Sequence, residues 1–308
     1  MKSIVVLFPY FGKLPAQYGA WRASALGNAN IDFMFFTDCD VEPADNIIVH
    51  KMEFDDFRKM VQEKFDFPVI LDRPYKICDF RPAFAYVLAD YVKSYDFWGW
   101  GDLDVVYGDI RHFVTDDVLS HHKLISGWGH FTLYHNDDDT NTYFMKEVDG
   151  YQSYKEAFTK HESAFFDEYS HKGFGDKWAG CRPEECWREW PFDNVSKPKQ
   201  AYHFCSLNRG WKQVLFEHVG NKLYMVKYEN GELKKKESMY AHFQHRGYMK
   251  DTVTDYSHFL VTPDGIMDYP RKCAKLRLRW LSRKRRIRTW RCQFHDYIVW
   301  KLNLSHYK

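Results

Sequence analysis

The thirteen residues from Phe97 to Asp109, FWGWGDLDVVYGD, constrain this chain more than any other stretch. An apolar, aromatic run stops abruptly at two aspartates, Asp102 and Asp104. In an extended segment, residues i and i+2 face the same side. Both carboxylates can therefore approach one hard divalent cation, while Leu103 turns the other way into a core. Such a cation prefers oxygen ligands and often keeps substrate phosphates in its remaining positions. The segment predicts a buried strand that delivers Asp-x-Asp at its carboxyl end. A metal-dependent enzyme acting on a nucleotide diphosphate needs that arrangement.

Around this segment, strand and helix patterns alternate. Ser3 to Phe8 reads as a first strand, apolar nearly throughout, as in a parallel sheet covered on both faces. Gln17 to Gly27 and Phe54 to Phe65 have helical patterns, while Ile31 to Phe36 and Asn46 to Met52 read as strands. A further helix is expected over Pro82 to Lys93, with Pro82 in the first turn, where it is tolerated. It leads into a strand from Tyr95 to Trp100, and Lys123 to Ser126 and Lys222 to Tyr228 read as later strands. This alternation predicts a doubly wound α/β sheet. Ligands of such sheets lie beyond the carboxyl ends of the strands. Pro9, Tyr10, Phe11, Asp38, Asp102 and Asp104 all stand at such ends, so one site can gather them.

Other residues offer matching chemistry. Lys76 and Arg81, just before the helix at Pro82, could hold phosphate; Asp79 could hold ribose or orient a cation. The alternative is a solvated loop with an Asp–Arg pair. Tyr10 and Phe11 could cover the flat face of a nucleobase or simply pack in the core. The Gly127-Trp128-Gly129-His130 segment lets a substrate approach the backbone closely, or makes a tight turn. Asp167 and Glu168 read either as a functional acidic pair or as a solvated helix face. Cys181, Cys186, His203 and Cys205 have spacings loose for structural zinc. Trp178, Trp187, Trp190 and Phe192 fall in a non-periodic stretch from Gly173 to Pro198. That stretch reads as a variable acceptor loop or a satellite hydrophobic cluster.

The segment FWGWGDLDVVYGDI resembles the metal-binding segment of GT-A glycosyltransferases, closest to bacterial enzymes that build lipooligosaccharide, capsule or O-antigen. Tyr75-Lys76-Ile77-Cys78-Asp79-Phe80-Arg81-Pro82 resembles their nucleotide-side motif. Tyr240-Ala241-His242-Phe243 resembles the late histidine that completes the metal site of galactosyltransferase-like members. The resemblance implies a GT-A-like, mostly parallel sheet and hexose transfer from a nucleotide-diphosphate sugar, UDP-galactose favoured, to a lipid-linked or cell-surface glycan. It implies Mn2+ or Mg2+ held by Asp102, Asp104 and His242. Pro9, Tyr10, Phe11, Asp38, Lys76, Asp79, Arg81, Asp102, Leu103, Gly127, Gly129 and His130 would line the nucleotide sugar. Phe165-Phe166-Asp167-Glu168 resembles the acidic element that reaches sugar and acceptor; Asp167 or Glu168 would be the base of an inverting enzyme. The rival readings are a sugar nucleotidyltransferase and a non-catalytic glycan- or membrane-binding module.

Composition sets the remaining bounds. A chain of 308 residues suits one large domain, here 1–270, with an extension over 271–308. Neither a signal peptide nor an 18-residue apolar run is expected, and seven cysteines without a framework suit reduced thiols in a cytoplasm. The net charge of +2 hides a split. Residues 271–291 carry eleven Lys/Arg and no acid, which leaves the first 270 residues at −10. Tryptophans, leucines and isoleucines interleave those cations. Basic segments with Trp at an apolar edge bind anionic membrane surfaces. A peripheral location on the inner face of the cytoplasmic membrane is therefore expected, and nucleic acid is not.

Overall fold

A computed structural model describes residues 1–302 other than 170, 248 and 284, with the side chains of Ser126, Gly127 and Trp300 left aside. The chain folds as two compact units interleaved in sequence. The first takes Met1–Lys13, Ala29–Asp102 and Val114–Glu189; the second takes Leu14–Asn28, Leu103–Phe113 and Trp190–Lys308. The fold is mixed α/β.

The first unit is built on a seven-stranded sheet. Its strands are β1 (Ile4–Pro9), β2 (Asp32–Thr37), β3 (Ile47–Lys51), β4 (Phe97–Gly101), β6 (Leu124–Trp128), β7 (Phe131–His135) and β8 (Cys186–Trp187), with β5 (Val105–Tyr107) belonging to the other unit. Their spatial order is β3-β2-β1-β4-β7-β6-β8. The pairs β3/β2, β2/β1, β1/β4 and β6/β8 are parallel, and β7 runs antiparallel to both neighbours. The chain moves outward from β1 to β2 and β3, then returns to place β4 on the other side of β1. The β1/β4 crevice is thus a topological switch point, the place where open α/β sheets bind ligands. All five residues of β4 are buried. Gly99 has a steric reason: a Cβ there would meet the Thr132 carbonyl oxygen at 1.9 Å.

Aromatic rings fill this unit. Trp98 and Trp100 each pack on Tyr134 with centroids 5.3 Å apart, and Trp178 is fully buried beside it. The helix Phe54–Gln62 turns Phe57 and Val61 inward, as its amphipathic spacing requires. The expected single helix over Pro82–Lys93 is different. A 3-10 helix runs from Pro74 to Ala83, and two short α-helical pieces follow, Phe84–Val87 and Ala89–Val92. Pro82 lies inside the 3-10 stretch; lacking an N–H and crowding the preceding turn, it does not open an α-helix there. The stretch from Gly173 follows the hydrophobic-cluster alternative. It contains a helix, Phe174–Cys181, and Trp178, Trp187 and Phe192 are buried core residues, leaving Trp190 exposed.

The second unit holds a small sheet and a larger one. The small sheet is β5 (Val105–Tyr107), β14 (Tyr240–His242) and β9 (Asp193–Asn194), with β14 in the middle. The larger is mostly antiparallel: β10 (Phe204–Cys205), β11 (Lys212–Val219), β12 (Lys222–Glu229), β13 (Glu232–Ser238), β15 (Lys250–Asp251), β16 (His258–Thr262) and β17 (Gly265–Asp268). Only β12 among these was expected. Two tight hairpins build it. Gly220 joins β11 to β12 and Asn230-Gly231 joins β12 to β13, all three at positive φ, the conformation that two-residue hairpin loops require. The helix Ala274–Leu281 buries Leu278 and Leu281 against Leu215 and Leu260 of this sheet. The basic segment therefore begins inside a folding unit instead of hanging free after residue 270. A last helix spans Arg286–Lys301, and residues 303–308 of the expected tail lie outside the described residues. No described helix is long and apolar enough to cross a membrane.

Candidate metal and acidic site

The backbone of β4 carries Asp102 to the carboxyl end of the sheet, beside the switch point. The Asp102 N–H donates to the His130 carbonyl at 3.1 Å, so the segment stays extended one residue past the strand. Three residues on, β5 (Val105–Tyr107) pairs with β14 and sets Val105 opposite His242. The Phe243 N–H donates to the Asp104 carbonyl at 2.9 Å, which locks the two segments side by side. As a result His242 Nε2 stands 3.4 Å from Asp104 Oδ1. One ligand atom each from Asp102, Asp104 and His242 lie within 4.8 Å of one another. Ligands about 2.2 Å from a shared ion can stand up to about 4.4 Å apart, so these three fit one coordination sphere with little movement. Burial pushes the Asp104 carboxyl up, but the charge and hydrogen bond of the His242 imidazole, with a backbone hydrogen bond and the charge of His245, together reverse this, and it sits below its ordinary value.

Asn194 orients the histidine. Its Oδ1 accepts from Gln244 Nε2 at 2.9 Å and lies 3.2 Å from His242 Nδ1. An amide oxygen only accepts, so Nδ1 donates to Asn194, and Nε2, turned toward Asp104, is the nitrogen on which a metal would replace a proton. The strand β9 that bears Asn194 is pinned by its neighbour Asp193, fully buried, which accepts from the hydroxyls of Ser206 and Ser238.

In the first unit, Arg81 gathers a second cluster. Its guanidinium donates to the Asp102 carboxylate, to Asp167 Oδ2 at 2.8 Å and to the Gly129 carbonyl at 2.6 Å. Asp167 is 2% exposed. Burial raises its carboxyl to about 7, against the lowering pull of Arg81 and with a further push from Glu168. Glu168 is less buried, and its Oε1 would stand 3.0 Å from a Cβ at Gly129. The pair is therefore a turn packed around Arg81, not a solvated helix face. Within the first unit the structure thus brings together Arg81, Asp102, Gly129, Asp167 and Glu168.

Several other expected residues are engaged elsewhere in the fold. Lys76 is fully buried, its ammonium donating to Asp79 at 2.7 Å and to the carbonyls of Ala157 and Glu162 at 2.9 and 2.7 Å, so it is not available to a phosphate. Asp79 also accepts from the Ala164 and Phe166 N–H groups at 2.9 and 3.1 Å. It braces the loop that carries Asp167 and is closed to a ribose. Phe11 is core, packed edge-on to Phe54 at 5.5 Å, and Leu103 is buried as its alternation requires. His130 is buried with its ring stacked at 5.8 Å on Trp128. Pro9 ends β1, the Tyr10 hydroxyl donates to the Lys13 carbonyl at 2.8 Å, and exposed Asp38 accepts the Gly12 N–H at 2.8 Å. Gly127 lies within β6, and its surroundings are outside the described part of the structure. Among the described residues the group competent to bind a metal is Asp102, Asp104 and His242; the cysteines do not join it, and the Cys186 thiol points to the Arg182 carbonyl at 3.4 Å. Sequence reading missed Asn194, and also Tyr75, whose exposed ring is close enough to Asp102 and Asp167 to feel their charge.

Residues 6–270 match the model of a family described as "Family of unknown function (DUF6625)". The chain belongs to the DUF6625 family. No curated protein and no solved structure matches it. The DUF6625 match takes in Arg81, Asp102, Asp104, Asp167, Asn194 and His242, and it ends where the basic segment begins. Both clusters thus belong to the family portion of the chain, and the last two helices lie beyond it.

Proposed function

We propose that this DUF6625 protein is a metal-dependent glycosyltransferase of GT-A type, moving a hexose from a nucleotide-diphosphate sugar, UDP-galactose favoured, to a lipid-linked or cell-surface glycan. The observation that carries the reading is the Asp102–Asp104–His242 cluster, which starts one residue beyond a parallel strand at the switch point of the sheet. Two carboxylates suit a hard cation, and the imidazole favours Mn2+ over Mg2+, whose ligands are almost all oxygen. Once bound, the cation would neutralise charge developing on the diphosphate leaving group.

The protein's own groups supply the rest. Asp102, Asp104 and His242 hold the ion, and Asn194 keeps His242 in the tautomer that can do so. Arg81 fixes the direction of the Asp102 carboxylate. Exposed Tyr75 offers a flat face to a base. Glu168, the more accessible of the acidic pair, is the better placed to take a proton from an acceptor hydroxyl, with Asp167 setting its surroundings. A sugar nucleotidyltransferase would need a basic, glycine-rich cradle after β1; there the loop buries Phe11 and ties Gly12 to Asp38.

The test is calorimetric titration of UDP with and without Mn2+, followed by a donor-hydrolysis screen across nucleotide sugars. The reading expects UDP binding that requires the metal and is lost in Asp104→Ala. Metal-independent UDP binding, or none at all, would remove it.

A further inference from the structure

The last helix, Arg286–Lys301, turns its apolar stripe toward solvent. Positions 287, 290, 294 and 297 follow a three-four-three spacing and so lie along one face. Ile287 is 72% exposed, Trp290 61%, Phe294 53% and Tyr297 49%. The Trp290 and Phe294 rings stack at 5.7 Å. Helices on globular proteins normally turn such a stripe inward. Here contacts elsewhere on the helix and just before it fix the orientation. The Thr289 hydroxyl accepts the Tyr202 N–H at 2.9 Å, and Arg285 and Arg288 pair with Asp264.

Two charge features lie beside the stripe. Exposed Arg286 and Arg291 flank it, at the end of a 21-residue run with eleven cations and no acid. A cleft of about 680 Å3 opens next to it within the same unit, lined by Gln200, His203, Lys212, Arg286, Trp290 and Gln293 among others. Two cations, two amides and an indole suit a phosphate group carried on an apolar or polyol stem.

Three occupants can be separated by physics. A second copy would set one cationic helix against another, which like charges oppose. Nucleic acid would use the cations and leave the four apolar side chains in water. An anionic bilayer satisfies both. We propose that the last helix lies in the interface of a membrane rich in anionic lipid, with Ile287, Trp290, Phe294 and Tyr297 among the acyl chains and the Lys212–Arg286 cleft holding a lipid phosphate headgroup. This surface does not depend on the catalytic reading. Trp280 is not part of this stripe; its indole packs against the guanidinium groups of Arg277 and Arg285 at 5.4 and 4.2 Å.

The experiment is sedimentation of the full chain with vesicles of phosphatidylcholine alone or mixed with phosphatidylglycerol, at low and high salt. Binding is expected only with phosphatidylglycerol and should weaken with salt. Trp290→Ala with Phe294→Ala should weaken it on the order of tenfold. Lys212→Ala and Arg286→Ala should each weaken it roughly fivefold. Equal binding to both vesicle types, or an unchanged Trp290/Phe294 variant, would overturn the proposal. So would a dimer in solution that Phe294→Asp dissolves, or RNA binding that the aromatic substitutions leave intact. Should a variant melt early, quenching of wild-type tryptophan fluorescence by brominated phosphatidylglycerol decides the same point: quenching supports insertion and its absence refutes it.

Discussion

Asp167→Asn isolates the energetic consequence of the Arg81 cluster. Folded Asp167 keeps its proton up to about pH 7, whereas the unfolded chain releases it near 3.8. Between those values the folded state binds the extra proton, so the group's contribution is intact below pH 4 and is lost as the pH rises to 7. A shift of about three units corresponds to on the order of 4 kcal/mol. With Asp167 only 2% exposed, solvent screening does little to reduce it. Asparagine keeps the shape and an acceptor for Arg81 but cannot titrate. Urea melts of wild type and variant at pH 4, 6 and 8 should therefore show the variant gaining on the wild type as pH rises, by an amount of this order across the range. A difference that stays flat with pH would mean that Arg81 holds Asp167 ionised throughout, and the account of this cluster would be wrong.

Two further outcomes follow from the same geometry. Asn194→Ala should lower Mn2+ affinity about 10- to 100-fold, read by the electron paramagnetic resonance of free Mn2+, because His242 loses the acceptor that fixes its tautomer; unchanged affinity would take Asn194 out of the site. Lys76→Met should destabilise the fold by about 3–5 kcal/mol, seen as a lower melting temperature, because Asp79 is left as a buried charge without its cation; a stable variant with weakened UDP binding would instead return Lys76 to phosphate recognition.

Much of the parallel sheet was legible because its strands admit one interpretation. Ile4–Pro9, Asp32–Thr37 and Phe97–Gly101 are short, nearly unbroken apolar runs, and such runs fit a strand covered on both faces. The Asp102/Asp104 pair was legible for the same reason, since it interrupts one of them. The antiparallel sheet was not, because charge disguises its strands. β13 reads ELKKKES, and β11 buries Glu217, which bonds His258 at 2.9 Å and Lys235 at 2.6 Å. The usable signal lay in the turns, Gly220-Asn221 and Asn230-Gly231. Lys76 misled because lysine is rarely buried unless paired, and its partners Ala157 and Glu162 are more than eighty residues away. The Arg81–Asp167 contact, 86 residues apart, leaves no local trace at all.

The interleaving of the two units has a consequence for how this protein can be handled and made. The chain passes from one unit to the other five times, so no single cut yields either unit whole. Expression of residues 1–189 would supply every strand of the first sheet yet strand two orphaned pieces, Leu14–Asn28 and Leu103–Phe113, whose partners come later. During synthesis, β5 must wait more than 130 residues for β14 to emerge before its edge is paired. An apolar three-residue strand left open for that time invites mispairing. Slow, non-local closure of this kind lengthens refolding from denaturant, so each point of the urea melts needs long equilibration, and the uncut chain, produced at low temperature, is the workable form for every measurement proposed above.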